Sequence, residues 1–163
     1  MRARDDSVRC TAVHIVIMGC GRVGSALAQL LDSDGYSVAI IDQDPSAWKR
    51  LSRGFSGLTI TGVGFDRERL IEAGIDRATS FVAVSSGDNS NIIAARVARE
   101  VFNVGNVVAR IYDQGRAEVY ERLGIPTVAT VRWAADQVLR SLMPEGSEPA
   151  WRDPSGQVRL VRV

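Results

Sequence analysis

Histidine occurs once and cysteine twice in the 163 residues, and that scarcity removes several chemistries at the outset. His14 lies inside an apolar run and reads as a strand-end packing residue rather than a base or ligand. Cys10 and Cys20 lack metal-ligand spacing, so no metal site is expected, and both fit a reducing compartment. No Tyr-x-x-x-Lys or Cys/His pair is present, which leaves Tyr112 and Tyr120 as core or interface positions. Charge of one sign is not in excess. The net charge is +1 with acids and bases interspersed, which offers no footprint for nucleic acid or an acidic membrane surface. The apolar runs fall short of the ~18 residues that suggest a membrane span. Met1 to Asp6 does not lead into a signal-peptide core, so a cytoplasmic location without membrane insertion is expected.

What the chain does hold is an apolar run, Val13 to Met18, that stops at Gly19-Cys20-Gly21-Arg22-Val23-Gly24. A run this short, rich in β-branched residues and bounded by glycine, reads as a buried parallel strand. Ser25 to Leu31 has apolar residues at helical spacing, which puts the glycines on a strand-to-helix turn, the context a dinucleotide site requires. Gly19 is expected to allow the tight turn, Gly21 to admit a pyrophosphate, and Gly24 to bring the helix close to the strand. The open amides of the helix N-terminus suit the anion. A second strand, Ser37 to Ile41, closes on Asp42, about twenty residues beyond the glycines, where this arrangement places a ribose-binding acid. Asp44, before Pro45, suits a helix cap instead. Cys20 is either a thiol activated at the helix N-terminus or a small side chain tolerated between glycines, and the second reading is preferred.

Strands are expected at about 13–18, 37–41, 58–61, 81–84, 107–112 and 127–129, and helices at about 22–32, 45–51, 66–74, 90–102, 115–123 and 131–143. Six strand-helix repeats with short loops imply an α/β fold, a Rossmann-like doubly wound parallel six-stranded sheet with helices on both faces. Ligands in such a sheet sit beyond the carboxyl ends of the strands. That edge collects Gly19 to Gly24, Asp42, Gly62 to Phe65, Ser85 to Asn89, and Arg110 with its loop. For Arg110, a phosphate or conformational contact and a structural salt bridge stand level. Trp48 is expected in the core. Asp66 with Arg69 and Arg67 with Glu72 read as solvated charges. Residues 1–12 read as a loose leader, 13–143 as the nucleotide-binding domain, and 144–163 as a linker with a short hairpin turning at Asp153-Pro154-Ser155-Gly156.

Taken together, Gly19 to Gly24 with Ala26-Leu27-Ala28, Asp42, Leu70 to Ile75, Asn91 to Ala95 and Ala109-Arg110-Ile111-Tyr112 resemble a known family. It is the RCK N-terminal (TrkA-N) lobe of regulators of potassium conductance, as in the TrkA-type subunits of bacterial potassium uptake systems. The resemblance spans about 13–143. It implies a non-enzymatic sensor at the inner face of the membrane that binds NAD or NADH, alternatively ATP or ADP. Homo-oligomers, dimers building into a ring, would gate a membrane potassium-translocating subunit. By the same resemblance Gly19, Gly21, Arg22, Val23 and Gly24 cradle the pyrophosphate and Asp42 binds ribose, while Cys20, Gln43, Gly62, Val63, Ser85, Ser86 and Arg110 complete the candidate set. Val63 stands where the family usually carries an Asp that meets the adenine amino group. Asn89 stands where an acid is common. The family's smaller C-terminal lobe is represented only by a tail that looks like a linker and its first strands.

A small NAD-dependent oxidoreductase or epimerase is the competing reading, since the fold does not choose between them. It would need a substrate domain and a positioned acid or base, and the sequence shows neither. The expectation is a regulatory nucleotide sensor, with no nucleic-acid partner, acting by ligand-biased population shift.

Overall fold

The computed structural model describes residues 13–142 and the backbone of 149–152 and 159–161. The expected leader, the linker at 144–148 and the hairpin turn at 153–158 lie outside the described residues. The chain divides between Val128 and Ala129 into two compact units, each taken by itself.

In the first unit β1 (His14–Met18) leads into α1 (Arg22–Ser33) and β2 (Ser37–Asp42), and a 3-10 turn (Pro45–Arg50) leads to β3 (Leu58–Thr61). Then come α2 (Arg67–Glu72), β4 (Ser80–Ala83), α3 (Asp88–Arg96), β5 (Asn106–Ile111), α4 (Gln114–Arg122) and β6 (Thr127–Ala129), the last crossing the division. The six strands form one parallel sheet in the order β3-β2-β1-β4-β5-β6. This is the doubly wound order, whose direction reverses beside β1. Register aligns the carboxyl ends there: Met18 pairs with Ile41 on one side and Ala83 on the other. The loops after β1, β2 and β4 therefore start side by side, so residues far apart in sequence share one edge.

Every residue of β1 is buried, as are the four central residues of β2, which explains their unbroken apolarity. Ile15, Ile17, Val38 and Ile40 pack with Ala28 and Ala47, and Leu27, Leu31, Trp48 and Phe55 close the cluster from outside. Trp48 is thus half-buried rather than central, because its indole Nε1 reaches out to donate to Thr61 Oγ1 at 3.3 Å. His14 is buried with both ring nitrogens engaged, Nδ1 2.8 Å from Ser37 Oγ and Nε2 2.7 Å from the Ala73 carbonyl oxygen. A carbonyl only accepts, so Nε2 donates to it. The imidazole is a tie between β1, β2 and the end of α2.

Helix ends follow local chemistry. Asp66 accepts from the Glu68 amide and caps α2, while Arg69 pairs with Glu72. α2 stops at Glu72, before the expected end, because Gly74 turns left-handed at φ +74° and starts a separate 3-10 turn, Ile75–Arg77. The helix expected to run to Phe102 is α-helical only to Arg96 and then widens into a π turn, Val97–Val101. There Phe102 N donates to Val97 O at 3.3 Å, and the turn closes at Asn103, φ 53°.

In the second unit, α5 (Thr130–Leu142) carries an i,i+4 pair, Arg132 with Asp136 at 3.7 Å. Separately, β7 (Pro149–Arg152) and β8 (Arg159–Val161) pair antiparallel.

Candidate functional site

The glycine turn after β1 is dictated by backbone crowding on one side and open space on the other. Gly19 has φ +102°, and a Cβ there would lie 2.7 Å from both Cα and N of Ser85. Only glycine therefore lets β1 end against the loop after β4. A Cβ on Gly24 would fall 1.8 Å from the Gly19 carbonyl oxygen, so α1 packs directly on the turn that launches it. At Gly21 a Cβ would meet nothing within 4 Å. This position faces space, as a cradle for a bulky anion requires. The N-terminus of α1 has no side-chain cap and no acid in its first turn, so its amides remain open to a ligand.

Asp42 ends β2 on the same rim. Its Oδ2 accepts from Cys20 N at 2.6 Å and its Oδ1 from Asp44 N at 2.9 Å. Each carboxylate oxygen has a further lone pair, so the group is fixed in place yet can still accept from hydroxyls. Asp44 caps the turn that follows, accepting from Ser46 N at 2.9 Å and Ser46 Oγ at 2.7 Å. Those bonds hold its carboxyl below the usual carboxylate range. Cys20 is fully buried, with Sγ 3.5 Å from the Ala47 carbonyl oxygen. Burial, then the charge of Asp42, push its thiol up to about 11, and Arg50 offsets this only in part. This agrees with the preferred reading of a small packing side chain between the glycines, whose backbone amide donates to Asp42.

Across the switch point, Asn91 organises the other rim. This fully buried side chain accepts from Ser85 N at 2.9 Å and Ser85 Oγ at 2.8 Å. It donates to the carbonyls of Ser85 at 3.0 Å and Arg110 at 2.9 Å. Asp88 adds a second clamp by accepting from the amides of Tyr112 and Asp113. Arg110 enters no salt bridge among the described residues. Its Nη2 instead donates to Ser85 O at 2.7 Å, its guanidinium lies 4.3 Å from the Tyr112 ring centroid, and its buried Nε has no partner. Asn89, outside the cleft lining, accepts from Arg116 at 2.8 Å.

The two rims enclose a cleft of about 720 Å³, within the range of small-molecule and cofactor sites. Of the sequence candidates, Gly19, Cys20, Gly21, Arg22, Val23, Asp42, Gln43, Gly62, Ser85, Ser86 and Arg110 line it. Gly24 lies behind the turn and Val63 outside the lining, where Gly64 and Phe65 take its place. Gly64 is on the wall because its Cβ would collide with the Met18 side chain. Phe65, inside the Gly62 to Phe65 stretch expected at this edge, lines the cleft as well. Sequence reasoning missed Arg50, Ser90 and Tyr112 as lining residues, and Tyr112, two places after Arg110 and just past a strand end, carried the clearest signal. No cluster of three metal-ligating side chains occurs among the described residues.

Comparison with known proteins gives a consistent answer. Residues 15–131 match the TrkA-N domain family. The chain is 68% identical over 151 residues to the Trk system potassium uptake protein TrkA of Streptomyces coelicolor, covering 93% of this chain and 68% of that protein. It spans about half the length of the TrkA homologs of two Pyrococcus species. Among solved structures, the TrkA-N domain of the Escherichia coli inner membrane protein ybaL superposes with a TM-score of 0.70 at 21% identity, covering 81% of this chain and 98% of that one. The GsuK channel does so in an ADP-bound structure (TM-score 0.65, 24% identity, 80% of this chain and 33% of that one). It does so again in an NAD-bound structure (TM-score 0.60, 17% identity, 77% and 22%). With 117 consecutive residues matched, 15–131, the chain belongs to the TrkA-N domain family.

Proposed function

We propose that this chain is the nucleotide-sensing part of a potassium-uptake regulator, binding NAD(H) or an adenine nucleotide in the cleft between the two rims. The observation that carries the reading is the open space at Gly21, facing the free N-terminus of α1 with Asp42 fixed alongside. In this reading Gly19 to Val23 hold the pyrophosphate, Arg22 adds an exposed cation and Asp42, flanked by Gln43, takes the ribose hydroxyls. Ser85, Ser86 and Arg110 border the distal half, and Gly62 the adenine side, where Phe65 supplies an aromatic wall in place of Val63. The ADP and NAD named in the titles of the GsuK structures, and the TrkA name of the Streptomyces relative, support the assignment.

Sensing then works by population shift: a nucleotide that binds two arrangements of a homo-oligomer unequally moves the balance between them, and a membrane potassium-translocating partner reads the change. No helix among the described residues is long and apolar enough to cross a membrane, so the membrane step falls to that partner, which this chain would meet from the cytoplasmic side. The enzyme alternative finds no histidine base in the cleft: the one histidine is locked between Ser37 and Ala73 at the far end of β1. A thermal-shift and calorimetry panel of NAD, NADH, ATP, ADP and NADP, with light scattering for assembly size, tests the reading. Saturable binding of a nucleotide lacking a 2′-phosphate, with no redox turnover, is expected. Absence of any binding, or a reproducible dehydrogenase activity, overturns it.

A further inference from the structure

Arg110 is nine-tenths buried, lines the cleft and has no acid against it among the described residues. A buried cation without a counter-ion is costly, and removing a charge from water is tolerated when an anion completes the site. The protein supplies only partial compensation: one carbonyl, Ser85 O, and the face of Tyr112. Nε is left without a partner. The surroundings are those of an anion site. α3 begins next to it with Gly87 as an N-cap that offers no side-chain bond, and Gly87 and Ser90 both line the cleft. The first-turn acid, Asp88, is already held by the amides of Tyr112 and Asp113, and the next position is a neutral Asn. Asn91 fixes the Arg110 and Ser85 carbonyls from behind.

We infer that Arg110 and the uncapped N-terminus of α3 form a second anion subsite in the cleft, distinct from the glycine turn, that takes a phosphate group. The inference rests on the nucleotide reading above where that phosphate is the terminal one of a nucleoside triphosphate, whose first two phosphates occupy the glycine turn. The same chemistry would accept inorganic phosphate alone. A planar, always charged guanidinium and a helix start are both suited to phosphate oxygens.

Calorimetry with ATP, ADP and AMP on the whole chain and on Arg110→Met decides the matter. The expected result is that ATP binds the unsubstituted protein about tenfold or more tightly than ADP, and that Arg110→Met lowers ATP affinity about tenfold more than it lowers ADP or AMP affinity. Equal losses for all three, or an unchanged ratio, overturn the inference while leaving the nucleotide reading intact. If Arg110→Met does not fold, Arg110→Lys replaces it, with a several-fold smaller preference expected and an unchanged ratio overturning the subsite. If no nucleotide binds at all, inorganic phosphate in a thermal-shift titration takes over. Stabilisation that requires Arg110 upholds the subsite and sinks the nucleotide reading; none, or stabilisation independent of Arg110, overturns the subsite.

Discussion

The Asn91 side chain donates to the Arg110 carbonyl at 2.9 Å, tying the first turns of α3 to the end of β5. The same amide takes up the Ser85 N–H and hydroxyl, so one buried side chain sets the distance between two loops of the cleft. Truncation to Ala takes this partner from the Ser85 N–H and the Arg110 carbonyl, while the Ser85 carbonyl keeps only its bond from Arg110 Nη2. Asn91→Ala is expected to cost about 2–4 kcal/mol of folding stability. Urea unfolding followed by circular dichroism measures it, and a loss below about 0.5 kcal/mol would mean that water replaces the network.

The glycines of the turn separate structure from binding. Gly24→Ala forces a methyl group to within 1.8 Å of the Gly19 carbonyl oxygen, and backbone cannot yield there without moving α1. A loss above about 3 kcal/mol, or failure to fold, is expected. Gly21→Ala meets nothing within 4 Å and should change stability by less than about 1 kcal/mol. It should nonetheless weaken nucleotide binding about tenfold or more, because the methyl group occupies the ligand's space. Unfolding curves and calorimetry on the two variants give the crossed result or refute the division.

Much of this was legible in sequence because it is local. The Gly19 to Gly24 turn, the cap at Asp44, and the buried runs of β1 and β2 each follow from a few neighbouring residues, whereas Asp66, which reads as a solvated charge, caps α2. Parallel pairing and the switch point followed from strand-helix alternation and the handedness of crossovers. The rest depends on convergence across the sheet. Asn91 stands out in sequence only as the start of the run Asn91 to Ala95 that resembles the family, and nothing nearby in sequence revealed that its amide meets carbonyls from two loops. Arg110 could not be separated from a salt-bridging arginine until its neighbours were seen to include a tyrosine ring and no carboxylate. Arg50 reaches the cleft from the far end of the turn after β2, beside the edge that β3 joins.

Asp42 makes a prediction about nucleotide choice. Its oxygens are held by Cys20 N and Asp44 N at the rim, so a 2′-phosphate would meet a fixed negative charge. NAD should bind about tenfold or more tightly than NADP. Asp42→Asn removes the charge and presents an NH₂ group to one of those amides, so NAD affinity should fall and the preference for NAD over NADP should shrink. Calorimetric titration of both cofactors into both proteins checks it; tighter binding of NADP to the unsubstituted chain would remove Asp42 from the ribose.

Cys20 gives a prediction about pH. Its thiol stands at about 11 in the folded protein against an ordinary 9.0 for a solvated thiol, with burial as the main cause. Between those values the unfolded chain has released the proton that the folded chain still holds, so the unfolded state binds fewer protons and stability declines as pH rises. The contribution is fully present below about pH 9 and disappears as pH climbs through about 11. Melting temperatures measured from pH 8 to 11 should therefore drop more steeply for the unsubstituted protein than for Cys20→Ala, the difference isolating this thiol from tyrosines that titrate in the same window. A disulfide-exchange reagent at pH 8 should react with Cys20 only at the rate of unfolding, since the native side chain is both protonated and fully covered. Fast labelling of Cys20 in the native protein, located by mass spectrometry of the labelled peptide, would show instead that the turn opens readily enough to expose it.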